Sequence, residues 1–200
     1  MIFIAYLLSP LVSADVLVGK INFDKRPAKA GVIYEVKHNY QTVNSAINQQ
    51  SKQFTEMIGV SSHQGKLSLL NNDEFEHNIF ANDIKQNIQF DVGLMSPGSK
   101  QEIVADWQTN TVVRIGCKIH PKMRSYIANI PSDNYASFEF DKKQQSTPFE
   151  LNEIAGDSNQ FILLLAGMDN TEVTIAKGET KTIDILRKGQ KKGSINLTRS

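Results

Sequence analysis

Gly116-Cys117-Lys118-Ile119-His120-Pro121-Lys122-Met123 is the stretch on which the reading of this chain turns. It holds the only cysteine among 200 residues, and Cys117, His120 and Met123 follow a C-x2-H-x2-M spacing. Forty residues before Cys117, the segment Asn72-Asp73-Glu74-Phe75-Glu76-His77-Asn78-Ile79-Phe80 contributes a second histidine, His77. One thiolate, two imidazoles and one thioether are the donor set of a mononuclear electron-transfer copper site. The soft sulfurs favour copper, and three strong ligands in a plane with a weak axial sulfur suit both of its oxidation states. A cysteine at the end of a strand is rigidly held, and a short loop then brings His120 and Met123 back to the same ion.

Other chemistry is weaker. Zinc accepts Cys117, His77, His120 and a water, but it rarely uses a thioether. A cysteine hydrolase needs its thiol and base on mutually oriented elements, whereas Cys117 and His120 share one tight loop. Haem attachment through C-x-x-C-H fails because position 120 is histidine. The chain has no phosphate loop and no H-E-x-x-H helix. His38 and His63 fall outside both ligand segments and read as surface or loop residues. Asp73, Glu74 and Glu76 read as a solvated turn, with steering of a cationic partner as the functional alternative. The basic Lys188, Lys191 and Lys192 stretch is read with the same caution.

The formal net charge is +1, with 40% apolar and 22% charged residues. That balance describes a globular protein, and nothing in it points to nucleic acid or an anionic membrane. Met1 to Leu11 is almost wholly apolar and leads into Val12-Ser13-Ala14, small residues at a peptidase cut. Residues 1–14 are therefore expected to be a signal peptide, too short to span a bilayer as a helix. The mature chain would begin at Asp15, without stable membrane insertion, in an oxidising compartment: the periplasm of a Gram-negative bacterium. One exported cysteine cannot form an internal disulfide, and metal ligation explains a lone exported thiol.

The rest reads as all-β. Val16 to Phe23, a turn at Asp24-Lys-Arg-Pro27 and Gly31 to Val36 predict an opening hairpin. Residues 37–52, rich in Asn and Gln, predict a loop or short irregular helix. Strands are expected at Phe54–Val60, Lys66–Leu70, His77–Phe80, Phe90–Met95, Lys100–Ala105, Thr111–Ile115 and Tyr126–Ile130, with a turn at Ser96-Pro97-Gly98. A boundary is expected at Pro131-Ser-Asp-Asn134. Beyond it, regularly spaced β-rich runs predict a small second sandwich or extension over 131–200.

The two ligand segments together resemble the cupredoxins, the type 1 blue-copper family. Cys117-Lys-Ile-His120-Pro121-Lys-Met123 is similar to the short ligand loop of amicyanins. His77-Asn78-Ile79-Phe80 is similar to the His-Asn segment of plastocyanins and amicyanins. Gln53-Phe54, Asn71-Asn72-Asp73 and Phe90-Asp-Val-Gly-Leu-Met-Ser-Pro-Gly98 resemble segments of the cupredoxin-like proteins called methylamine utilisation proteins. Those relatives often have a histidine pair where this chain has His77-Asn78, and a proline where Thr55-Glu56 follows Phe54. The resemblance covers about residues 15–130. It implies a Greek-key sandwich over that range and pairing of the distant ligand segments. It also implies copper held by His77, Cys117, His120 and Met123, with Asn78 tying the loops and placing an amide near the cysteine sulfur. It implies a non-enzymatic electron carrier with its port at His120 and Pro121, joined by the Met95-Ser96-Pro97 loop. The partner would be a c-type cytochrome or a periplasmic oxidoreductase. Copper delivery, or a structural β module with a vestigial site, are the competing expectations.

Overall fold

The computed structural model describes residues 15–200, so the expected signal segment 1–14 lies outside the described residues. In chain order the first strands are β1 (Leu17–Phe23), β2 (Ala30–Glu35), β3 (Ser45–Gln50), β4 (Gln53–Phe54), β5 (Ile58–Ser61) and β6 (Lys66–Asn71). Then come β7 (Ile79–Asp83), β8 (Ile88–Asp91), β9 (Lys100–Val104), β10 (Thr111–Cys117) and β11 (Arg124–Asn129). The last are β12 (Tyr135–Glu139), β13 (Ser146–Leu151), β14 (Gln160–Leu165), β15 (Thr171–Thr174), β16 (Thr180–Arg187) and β17 (Gln190–Arg199). A 3-10 turn, Ile84–Gln86, joins β7 to β8. Among the described residues no helix is long and apolar enough to cross a membrane.

The strands form four sheets, ordered β13-β1-β17-β16, β12-β2-β14-β15, β5-β11-β10-β7-β8 and β4-β3-β6-β9. Alternation along each strand decides how the sheets stack, because successive side chains face opposite sides. In β10, Val113, Ile115 and Cys117 face a core shared with Leu67 and Leu69 of β6. This is the first sandwich, made of the five-stranded sheet and the β4-β3-β6-β9 sheet. Two of its strand pairs are parallel, β5 with β11 and β3 with β6, and the rest are antiparallel.

The second sandwich buries Leu17, Ile21, Phe161, Leu163 and Ile195 between the other two sheets. Its inner sheet is covered on both faces. Ile33 points into that core, while Val32 and Tyr34 pack with Ile58, Val60 and Ala128 of the first sandwich. Every residue of β2 is accordingly buried. The Tyr34 hydroxyl donates to Asn110 across this interface.

Four expectations are corrected. The opening hairpin does not form. Strand β1 pairs with β13 and β17, and β2 pairs with β12 and β14. Residues 24–29 carry the chain across the core between two sheets, with Pro27 and Ala28 buried. Residues 17–35, expected inside a 15–130 unit, therefore pair only with strands beyond 131. Within 37–52, the loop or irregular helix is interrupted by β3, which pairs in parallel with β6. Only Ile47 and Gln49 of that strand are buried, so its polar composition hid its period. The single strand expected at 54–60 is two, β4 and β5.

The termini of the second sandwich are locked together. Val16 and Ser200 exchange backbone hydrogen bonds of 3.1 and 3.0 Å. Beside them Arg199, only 2% exposed, holds the Asp15 carboxylate through Nε at 2.9 Å and Nη2 at 2.8 Å. The guanidinium also donates to the Ile175 and Ser158 carbonyls. The Arg199 hydrogen bond holds the Asp15 carboxyl below the usual carboxylate range despite the opposing effect of burial. A carboxyl depressed in the folded state stabilises above its unfolded pKa, and that contribution is lost as pH falls through the folded one. Asp15→Ala is expected to cost about 3 kcal/mol at neutral pH by stranding a buried cation, and to flatten the acid limb of the stability profile. Urea unfolding at pH 7 and pH 3 measures both effects.

Candidate metal centre

Strand register assembles the site. Cys117, the last residue of β10, is paired with Ile79 of β7. His77 lies two residues before Ile79, so it projects to the same side of the sheet as Cys117. An isolated bridge fixes it there: His77 N–H donates to the Met95 carbonyl at 3.0 Å, and Met95 N–H to the His77 carbonyl at 2.7 Å. After Cys117 the chain leaves the sheet in a turn, closed by Met123 N–H donating to the His120 carbonyl at 2.9 Å. That turn folds His120 back over the strand end.

Three donor atoms converge. His77 Nδ1 is 3.6 Å from Cys117 Sγ, His120 Nδ1 is 3.8 Å from the same sulfur, and the two Nδ1 atoms are 3.2 Å apart. A triangle with these sides has a point about 2.1 Å from all three corners, close to the roughly 2.0–2.3 Å reach of protein metal–nitrogen and metal–sulfur bonds. His77 is fully buried and Cys117 is 2% exposed. A metal cation satisfies all three lone pairs at once, whereas one proton satisfies a single pair. The residues present therefore fit a mononuclear metal.

The protonation states are prepared for this. His77 Nε2 lies 3.1 Å from Asp73 Oδ2, and a carboxylate can only accept there. In the neutral ring the proton therefore belongs on Nε2, which leaves Nδ1 as the lone-pair donor facing the other two. Asp73 is itself held by the backbone N–H groups of Lys52 at 2.6 Å and Glu74 at 2.9 Å. Burial alone would raise its carboxyl, but the Lys52, His77 and Glu74 hydrogen bonds outweigh this and keep it below the ordinary range. Burial, reinforced by the neighbouring His77 and Lys52, pushes the His120 imidazole below its usual value. His120 is thereby kept neutral, as a ligand must be.

Asp73 was read from sequence as part of a solvated turn, and the structure corrects this. Its side chain is nearly buried and orients a donor ring. The available signal was its position four residues before His77, behind the Asn71-Asn72-Asp73 turn. Asn71, also missed, is buried and pins that turn, donating through Nδ2 to the Phe75 and Met95 carbonyls, both at 2.9 Å. Lys52 sits at a hairpin tip where Ser51 and Lys52 both have left-handed backbones, φ 53° and 56°. This two-residue connection normally calls for Asn-Gly. Here the strained tip delivers the Lys52 N–H to Asp73 and lays the Lys52 ammonium 3.6 Å over the Phe75 ring.

The other expected residues are placed as follows. Asn78 sends its backbone N–H toward Cys117 Sγ at 3.4 Å, and its carbonyl accepts from Lys118 N–H at 2.9 Å. Both ties are made by the main chain. Met123 is buried in the same apolar cluster as Cys117. Phe75 meets the His120 ring edge-on, and Phe75, Leu94 and Ile119 remain 38, 57 and 46% exposed around this end. His38 and His63 are exposed and take no part in the cluster.

Comparison with known proteins gives likeness of fold. The chain is similar to a purple cupredoxin from Nitrosopumilus maritimus at 15% identity and TM-score 0.38, over 43% of this chain and 99% of that one. It is similar to amicyanin from Paracoccus versutus at 13% identity and TM-score 0.37, over 48% and 96%. A copper-containing nitrite reductase from Thermus scotoductus matches at 15% identity and TM-score 0.39, over 48% of this chain and 25% of that one. No protein-family model and no curated protein matches the chain. The metal assignment rests on the donor geometry.

Removing the group that sets the His77 tautomer should weaken the site without dismantling it. Asp73→Ala is expected to lower copper affinity by about 10- to 100-fold. Competition against a chelator of known affinity measures it, and unchanged affinity would mean that His77 is oriented by its backbone bridge alone.

Proposed function

We propose that this protein is an exported, periplasmic type 1 copper protein that carries single electrons between redox proteins. The observation that carries the reading is the triangle of His77 Nδ1, His120 Nδ1 and Cys117 Sγ, with Asp73 holding the proton away from it. Copper bound there supplies reversible one-electron chemistry.

Each residue then has a physical task. Cys117 gives the thiolate and the dominant covalent path. His77 and His120 fix the donor plane. Met123, buried in the same cluster as Cys117, would supply a weak thioether donor that tunes the potential of bound copper. Asn78 N–H, directed at Sγ, withdraws charge from the sulfur and favours the reduced state. His120 turns Nδ1 inward, so its far edge faces out beside Pro121 and the exposed Phe75 and Ile119. That edge is the electron port. The Met95-Ser96-Pro97 loop joins it through the His77–Met95 bridge. Partners are a c-type cytochrome or a periplasmic oxidoreductase. Burial of His77 and Cys117 favours a resident metal over one handed on.

Two measurements test this. Adding Cu(II) is expected to give an intense thiolate-to-copper charge-transfer band that Cys117→Ser abolishes. Copper bound without that band would overturn the electron-carrier reading in favour of delivery or a vestigial site. Met123→Gln is expected to retain copper and lower the reduction potential, read by voltammetry. An unchanged potential would remove Met123 from the ligand set.

Export has its own check. The chain purified from the periplasmic fraction is expected to begin at Asp15, whose carboxylate the Arg199 clasp requires. Intact mass decides it, and a mature chain starting beyond residue 15 would count against cleavage after Ala14.

A further inference from the structure

The outer face of the five-stranded sheet is covered for only half its length. Val112 and Tyr126 pack against the second sandwich. The half nearer the metal centre is an open cleft of about 690 Å³ that reaches Cys117, Met123 and Pro121. Register fixes its floor. Gly116 is paired with Phe80 on one side and Arg124 on the other. Arg114, two residues along β10, faces the same way. Lys85 and Lys118 complete the rim, and Asp83 is the cleft's only acidic residue.

The charge is concentrated. The chain as a whole is +1, yet this cleft sets four cations against one carboxylate. Asp83 is already engaged, accepting from Gln86 backbone N–H at 3.2 Å and side-chain Nε2 at 2.7 Å. Lys118 is already neutralised by Asp91 at 2.5 Å, which register places beside Phe80 on the same face, so the unopposed charge is that of the two arginines and Lys85. Arg114 and Arg124 make no ion pair among the described residues. They occupy diagonal positions on adjacent strands, both exposed, so one acidic surface can meet the two together. Apolar groups are interleaved with them: the Phe80 ring and Ile84, which is 75% exposed. Arginine with aromatic and aliphatic groups is the composition of a protein-binding face, and guanidinium pairs with carboxylate in a planar fork. Cations spread over two strands and a 3-10 turn span more than one small oxyanion can bridge.

We infer that the Phe80–Gly116–Arg124 cleft is the docking face for an acidic surface of the redox partner. The cleft adjoins the His120 edge at Pro121, which borders both. Its floor, Gly116, is joined by one peptide bond to the metal-ligating Cys117. The inference rests on the copper reading only in calling the partner a redox protein, because docking itself needs no metal.

The test uses the metal-free ¹⁵N-labelled protein and a hexaglutamate peptide at low ionic strength. Amide shifts are expected at Phe80, Asn82, Arg114, Gly116 and Arg124, and they should vanish at about 0.5 M salt. The double variant Arg114→Glu/Arg124→Glu should weaken binding by about tenfold or more. Lys188→Glu/Lys192→Glu, with the same change in formal charge, should leave it unchanged. Equal weakening by both variants, or shifts scattered over all lysines, would overturn the docking face. Displacement of the peptide by an equal concentration of inorganic phosphate would overturn it in favour of a small-anion site. Peptide binding at this face in a protein that lacks the Cu(II) charge-transfer band would sink the redox partner and keep the docking surface. The band without peptide binding would do the reverse.

Discussion

The antiparallel pairing of β7 with β10 is the constraint on which the site depends. It sets Cys117 opposite Ile79, and the two-residue period then turns His77 to the same side of the sheet. A slip of one residue in that register would send one donor outward and leave the other in the core. The register is held from several directions. Ile79, Ala81, Val113 and Ile115 lock the inner face by burial. The Asn78–Lys118 and His77–Met95 backbone bonds extend the ladder past the strand ends. Three lone-pair donors are brought together by this scaffolding, an arrangement that fits one metal ion.

The polar groups behind the donors are nearly all accounted for by partners. Gln49, Asn71, Asp73 and His77 are buried, and each engages a backbone group or another member of the set. Such a network is unfavourable if left half satisfied and rigid when complete. It replaces solvent around His77 with fixed dipoles, so the ring has one tautomer and one orientation. The strained Ser51-Lys52 tip belongs to the same network, since its backbone supplies one of the hydrogen bonds that keep Asp73 ionised.

The second sandwich shapes what the first can present. By covering Val112, Tyr126, Ile58 and Val60, it closes one half of the five-stranded sheet's outer face and leaves the metal-proximal half open. Its own closure is topologically long-range. Strand β1 is zipped between β13 and β17, and Asp15 is bonded to Arg199. The first described residues are thereby committed to the chain's end rather than to their neighbours in sequence.

Much was legible in the sequence alone. The sulfur and imidazole donors, their spacing and the strand running into Gly116-Cys117 were all readable, because loop length limits what 117, 120 and 123 can reach. The all-β class followed from short alternating runs and turn residues. Other features were decided by tertiary structure. Asp73 carries no mark of burial in its own acidic turn; it is buried because Lys52 and His77 arrive from elsewhere. Strand β3 is polar in composition, and only parallel pairing with β6 makes it a strand. The hairpin expected from Asp24-Lys-Arg-Pro27 was a local reading of a turn that in fact crosses between layers, since β1 and β2 gain more by pairing with distant strands on both edges than with each other. Local chemistry therefore picked out His77, Cys117 and His120, whose donor atoms converge, while long-range pairing decided which of their neighbours became partners, since burial and hydrogen bonding across a sheet depend on residues that no short window contains.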